Sequence, residues 1–251
     1  MPLTGLDSTI NRIHGLAPVA TLCRRSAAGE EKHVDDENIL RASRLDTTAI
    51  SDALDRLGIP GQCLGIKPLD HSFKLAGRAF TLLYAPAAAP PGTVGDFIDD
   101  VPPGEVVVID NGGRENATVW GDIMTMVAHE RGIGGTVIDG ACRDTHLALK
   151  LAYPIFSRSY SMRTGKDRVQ LESIGSPVNI GDARVHAGDI VRADSDGVVV
   201  IPRAHEEQVL KIAEEIDAIE DQIRRAVQGG LSLGEARRQF GYHQLQSKTQ
   251  R

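Results

Sequence analysis

Two carboxylates and a guanidinium stand at suggestive places in this chain. Asp122 lies in Trp120-Gly121-Asp122, and Arg143-Asp144 closes the run Asp139-Gly140-Ala141-Cys142-Arg143-Asp144, with twenty residues between Asp122 and Arg143. Carboxylates are hard oxygen donors. Magnesium typically takes one or two of them and completes its shell with water and substrate oxygens. A guanidinium offers a planar fork to a carboxylate or to an oxygen gaining negative charge. The set therefore suits a divalent metal and a small oxo-acid. The same residues have plainer uses, because Arg-Asp neighbours form local ion pairs and an aspartate in a first helical turn caps the helix. Spacing alone leaves both readings standing.

The elements around these residues must bring them together. Glu105 to Asp110 (EVVVID) is a nearly continuous apolar run, as in a strand buried on both faces, and Asn111-Gly112-Gly113 reads as its end. A short helix is expected from Gly121 to Arg131, with Ile123, Met126 and Val127 inward and Gly132 as its stop. Thr136-Val137-Ile138 is the next strand. Strand, helix, strand makes a parallel βαβ unit, and ligands bind at the carboxyl ends of such strands. Asp122 in the first turn of the helix would then face Arg143 and Asp144. The backbone N–H groups of Gly121, Asp122, Ile123 and Met124, at a helix N-terminus, would form an anion seat between them.

Further elements flank this unit. A helix capped at Asp46 or Thr47 carries Ile50, Ala53, Leu54 and Leu57 on one face. Leu75 to Tyr84 reads as a strand, the Pro-rich stretch 85–104 as a loop with a short helical piece, and Pro154-Ile155-Phe156 as a further strand. Short strands with Gly-Asp and Asp-Gly turns fill 177–201. His205 to Gln228 is an amphipathic helix, with Val209, Ile212, Ile216, Ile219, Ile223 and Val227 at three- or four-residue steps. Ser232 and Glu235 have capping-box spacing and open a last helix. The expected organisation is an N-terminal arm over 1–40, a catalytic domain over 41–204 and a C-terminal helical extension over 205–251.

Bulk composition narrows the partners. A net charge of −6 argues against nucleic acid, which calls for a basic face. Three cysteines (Cys23, Cys63 and Cys142) form no metal or disulfide pattern and suit a reducing compartment. Met1 to Arg25 holds no continuous apolar run, so neither a signal sequence nor a membrane span is expected, and the cytoplasm is the default.

Trp120-Gly121-Asp122, the Asp139 to Asp144 run, Pro177-Val178, Gly188-Asp189, Asp194 and Asp196 to Pro202 together resemble the RraA-like family over roughly 45–240. Within it they resemble the class II 4-hydroxy-4-methyl-2-oxoglutarate aldolase and oxaloacetate decarboxylase branch. The family's ribonuclease regulators are shorter and lack the full aspartate–arginine–aspartate set. The resemblance implies an α/β fold, a compact β/β/α sandwich with a parallel βαβ core, added antiparallel strands and C-terminal helices. It implies a homotrimer or homohexamer with sites between subunits, the extension 205–251 packing at the interface, and a small 2-oxo acid substrate.

By position, Gly121 to Met124 would bind the substrate carboxylate, Arg143 the substrate oxygens, and Asp144 a divalent metal, magnesium or manganese, with no organic cofactor. Asp122 would hold a proton-shuttling water. Glu220, from a neighbouring subunit, is the candidate for a further carboxylate. A solvated helical pair with Arg224 is its equal alternative.

Other side chains attract notice. Arg143 could activate Cys142. His129 and His146 could move protons. Lys67, Lys74, Lys150 or Lys166 could form a Schiff base. A non-catalytic regulator of ribonuclease activity, built on the same fold, is the alternative to the aldolase.

Overall fold

The computed structural model describes residues 36–242. The arm expected over 1–40 lies outside the described residues as far as 35, and so does the chain beyond Tyr242. Helix α1 (Glu37–Arg44) is started by Asp36, whose carboxylate accepts from the Asn38 and Ile39 N–H groups at 3.2 and 3.3 Å. The Asp36 carboxylate also pairs with Arg78, as does the buried Glu206, and Arg41 pairs with Glu207 and Glu214. These ties fasten α1 to the C-terminal helix α5 (Glu206–Gln228) and to strand β2 (Leu75–Pro86).

Helix α2 (Thr47–Leu57) stops at Gly58 in the left-handed region (φ 68°), where glycine is least strained. Its expected cap differs in detail. Asp46 sits at the N-cap without a side-chain bond, and the Thr47 N–H and hydroxyl instead donate to Asp194 at 2.8 and 2.7 Å.

The main sheet has eight strands. Its parallel centre is β2, β3 (Val106–Thr118), β4 (Gly135–Cys142) and β5 (Ile155–Tyr160). Two-residue β1 (Lys67–Pro68) pairs antiparallel with β5. β6 (Val169–Ile174), which no sequence signal marked, and β9 (Ile190–Asp194) both pair antiparallel with β2, and β10 (Gly197–Ile201) pairs with β9. A separate hairpin is made by β7 (Val178–Ile180) and β8 (Ala183–Val185). The layered α/β fold implied by the resemblance is the one observed.

One core cluster joins Leu82, Ile109, Ile138, Trp120 and Tyr153, another joins Val106, Val108 and Val137 to the β7–β8 hairpin, and a third packs α1, α2 and α5 onto β9 and β10. Val209, Ile216 and Ile223 are buried as the helical spacing requires, while Val227, at the end of the same expected face, is 39% exposed. The last helix, α6 (Leu233–Gln239), carries the expected Ser232–Glu235 capping box.

Two findings correct the sequence reading around the site. Asn111-Gly112-Gly113 does not end β3. The strand continues through two register shifts against β4, between Asp110 and Arg114 and between Arg114 and Thr118. Gly112 and Gly113 adopt φ of 60° and 69°, and Asn111 Nδ2 donates to the Ala117 carbonyl at 3.0 Å. Glycine in that conformation is bulge chemistry as well as strand-end chemistry. In helix α3 (Asp122–Glu130) Thr125 and Ala128 are buried and Val127 packs against the core as expected, while Ile123 is 70% and Met126 43% exposed.

Candidate active site

The two loops carrying the site are fastened backbone to backbone. The Val119 N–H donates to the Ala141 carbonyl at 3.2 Å and the Arg143 N–H to the Trp120 carbonyl at 2.9 Å. Gly121 therefore stands beside Arg143 and Asp144, as the βαβ geometry predicts. Trp120 anchors this lip from below. Its indole N–H donates to Thr125 Oγ1 at 2.9 Å, and its ring stacks on Tyr153 with centroids 6.2 Å apart and planes 2° from parallel.

Gly121 is extended (φ −147°), so backbone freedom does not explain it. Space does, because a Cβ there would lie 3.0 Å from Asp144 Oδ2 and 3.3 Å from Arg143 Nε. The absent side chain is what lets the functional pair lean over the start of α3.

The two aspartates behave differently. Asp122 Oδ1 accepts from the Ile123 N–H at 2.8 Å, so the capping use applies to one of its oxygens and removes one N–H from the expected anion seat. Among the described residues the N–H groups of Gly121, Asp122 and Met124 have no backbone or side-chain acceptor. Asp144 occupies the N-cap of helix α4 (Thr145–Leu151), which the sequence reading did not anticipate, yet makes no side-chain capping bond. It is also left-handed, at φ 54° and ψ 39°. Such a backbone costs a non-glycine residue on the order of 1 kcal/mol. Its Oδ2 lies 3.3 Å from Arg143 Nε, with both side chains partly exposed. Asp144 is thus strained, unused for capping and turned toward the guanidinium.

Arg143 and the start of α3 border a cavity of about 500 Å³ whose walls include Trp120, Asp122, Met124, Arg143, Asp96 and Lys166, and Asp144 stands behind that wall, against Arg143. Among the described residues no three His, Cys, Asp or Glu side chains gather as a metal cluster. A cation here would rest on Asp144, with Asp122 close by along the chain of contacts through Gly121, and on water and substrate oxygens. That hard, sparse donor set fits magnesium or manganese and not a structural zinc.

The other candidates fall elsewhere. Glu220 does not line this cavity within one chain. It sits 3.5 Å from Arg224, and burial, with Asp52 nearby, raises its carboxyl above the ordinary range despite that arginine. Burial likewise pushes the Cys142 thiol up, which opposes activation by Arg143. His129 and His146 are exposed. Lys67 donates to the Asp196 carbonyl at 2.9 Å, and of the four lysines only Lys166 reaches the cavity wall.

Two buried acids close to the site have structural duties that the sequence did not separate from catalytic ones. Asp110 accepts from the Gly112 and Asn179 N–H groups at 2.7 and 2.9 Å. Asp139 pairs with Arg158 and accepts from the Gly181 N–H at 2.7 Å. Together they hold the β7–β8 hairpin to the sheet. No helix among the described residues is long and apolar enough to cross a membrane.

Comparison with known proteins places these features in context. The model of the RraA-like family, described as aldolase/RraA, matches residues 47–200. The chain is 38% identical over 203 residues to the protein DlpA of Legionella pneumophila, a match covering 79% of this chain and 33% of DlpA, so the chain spans about a third of that relative. It is 34% identical over 183 residues, 73% of this chain and 85% of the relative, to a Halalkalibacterium halodurans protein named provisionally as a 4-hydroxy-4-methyl-2-oxoglutarate aldolase. Among solved structures it is similar to Streptomyces coelicolor RraAS2, described as an unusual member of the RNase ES inhibitor RraA family, with a TM-score of 0.71, 26% identity and coverage of 77% of this chain and 98% of that one.

Proposed function

The chain belongs to the RraA-like family, and from that premise we propose that it is a divalent-metal-dependent carbon–carbon lyase. Its substrate in this reading is a 4-hydroxy-2-oxo acid such as 4-hydroxy-4-methyl-2-oxoglutarate, cleaved to pyruvate, and oxaloacetate is decarboxylated at the same site. The observation that carries the reading is Asp144, a carboxylate in a strained backbone that does no capping and lies 3.3 Å from Arg143, whose side chain lines the cavity. The provisional name of the Halalkalibacterium relative supports the substrate class.

Each residue has a physical task. The free N–H groups at the start of α3 receive the substrate carboxylate, with the positive end of the helix behind them. Arg143 meets the 2-oxo oxygen and stabilises the negative charge that develops there when the C3–C4 bond breaks. Asp144 would hold the cation, which supplies Lewis-acid polarisation of the 2-oxo group. Asp122 keeps Oδ2 for a water, since Oδ1 is bonded to the Ile123 N–H. That water takes the proton from the C4 hydroxyl and returns one to C3, so the reaction is proton-neutral. We further propose a trimeric or hexameric assembly in which Glu220 of a neighbouring subunit joins this relay, a place suggested by the family resemblance.

A coupled pyruvate-release assay with 4-hydroxy-4-methyl-2-oxoglutarate and oxaloacetate, with magnesium and after exhaustive chelation, tests this. Release should vanish on chelation and return with magnesium. Arg143→Ala should lower kcat by about 10²-fold or more, on the order of 3 kcal/mol. Full activity in the chelated protein or in Arg143→Ala would sink the reading. Capture of a ribonuclease by a protein that turns over neither substrate would favour a regulator, the class to which RraAS2 is assigned.

Gly121→Ala separates geometry from folding. The added methyl must push Asp144 or Arg143 by a few tenths of an ångström. Stability should change by less than about 1 kcal/mol. The rate should fall at least about tenfold, because small misplacements of reacting groups are costly. An alanine variant with wild-type kinetics would show that the close approach is incidental.

A further inference from the structure

The cavity beside Arg143 has a second cation that the proposed chemistry leaves without a task. Lys166 lines the wall, and its ammonium enters none of the hydrogen bonds or ion pairs found among the described residues. The acids on the facing segment are already engaged. Asp96 accepts the Thr93 hydroxyl at 2.6 Å, and Asp99 pairs with Arg131 at 3.5 Å.

The loop that presents Lys166 is built into the sheet. The Thr118 N–H and hydroxyl donate to the Arg163 carbonyl at 3.2 and 2.9 Å, and the Ser161 N–H to the Cys142 carbonyl at 2.9 Å. These bonds tie the loop to the ends of β3 and β4, the strands that deliver Asp122 and Arg143. Gly165 packs so tightly on the Thr118 carbonyl that a Cβ would collide with it. The Lys166 N–H then donates to Thr164 Oγ1 at 3.2 Å, and the Gly165 carbonyl accepts from Arg168 and Val169, each at 2.9 Å. The lysine backbone is therefore held in fixed relation to Arg143 while the side chain keeps its reach.

We propose that Lys166 receives the distal carboxylate of a dicarboxylic 2-oxo acid, making it a specificity-determining residue that favours 4-carboxylated substrates over monoanionic ones. This rests on the lyase reading above. Chemically the site divides into a near end, the α3 N-terminus with Arg143, for the carboxylate and 2-oxo group, and a far end, Lys166, for the second anion. A cavity of about 500 Å³ accommodates such a diacid with water to spare. Lys166 is exposed, so it lacks the apolar burial that a Schiff-base lysine uses.

The test compares 4-hydroxy-4-methyl-2-oxoglutarate with 4-hydroxy-2-oxopentanoate, which lacks the second carboxylate, in the wild type, Lys166→Met and Lys166→Arg, with magnesium present. The wild type should prefer the dicarboxylate. Lys166→Met should lower the ratio of kcat/KM values about tenfold, mainly through KM, and Lys166→Arg should restore most of it. An unchanged ratio in Lys166→Met, or a borohydride-trapped adduct on Lys166, would overturn the assignment. A wild type that turns over neither substrate would overturn the lyase reading instead. Calorimetric binding of 2-oxoglutarate against 2-oxobutanoate then decides the role of Lys166 alone, since loss of preference for the dianion in Lys166→Met supports it and an unaltered preference removes it.

Discussion

Asp144→Gly should abolish pyruvate release and leave the protein as stable as before, or more stable by up to about 1 kcal/mol. The two halves of this result have separate origins. In the lyase reading the carboxylate is the one direct protein ligand to the cation, and its loss should cost at least about 10²-fold in kcat. The backbone at φ 54° is one that glycine adopts freely and aspartate does not. No capping bond is lost, because none is made. A structural aspartate would give the opposite pattern, with intact turnover and a lower melting point. Circular-dichroism melting beside the pyruvate assay reads both, and a destabilised, active Asp144→Gly protein would remove Asp144 from the site.

Asp139→Ala should be the converse case, a folding defect. Asp139 is buried, paired with Arg158 and bonded to the Gly181 N–H. Truncating it strands the partly buried guanidinium and an N–H of the hairpin turn. Removing one partner of a buried pair costs about 3 kcal/mol or more. The denaturant midpoint should fall accordingly, and a change below about 1 kcal/mol would mean that the β7–β8 hairpin is held by its apolar contacts alone. On these two expectations, Asp139 and Asp144, in one six-residue run, have opposite duties.

That division was not legible in the sequence, and the reason is physical. Both aspartates follow the same apolar strand, and a one-dimensional pattern carries no record of what lies across the sheet. The Gly181 N–H that claims Asp139 arrives from the turn of a hairpin far along the chain. What was legible depended on local rules. The buried runs at 106–110 and 136–138 and the Ser232–Glu235 box express propensities written in neighbouring residues.

Two local readings failed where a second local solution existed. Gly112-Gly113 serves a bulge as readily as a strand end. Ile123 and Met126 fit an inward helical face by hydrophobicity, but Thr125 and Ala128 are the residues of α3 that are buried. The in-chain position of Glu220, away from the cavity, follows from the packing of α5 against α2 and could not be inferred from its Glu–Arg spacing.

The bulged pairing of β3 with β4 changes what the gap between Asp122 and Arg143 means. Residues 110–118 of β3 lie opposite only 139–141 of β4. The two lips of the site are thus set by registration across the sheet, while α3 and the turn after it merely close the circuit. An extra helical turn inserted there would spoil the twenty-residue count and leave the lips where they are. A single residue deleted from 139–142 would turn Arg143 to the opposite face, because side chains alternate along a strand. The interval that catches the eye in the sequence is elastic, and the rigid one is the handful of residues on β4.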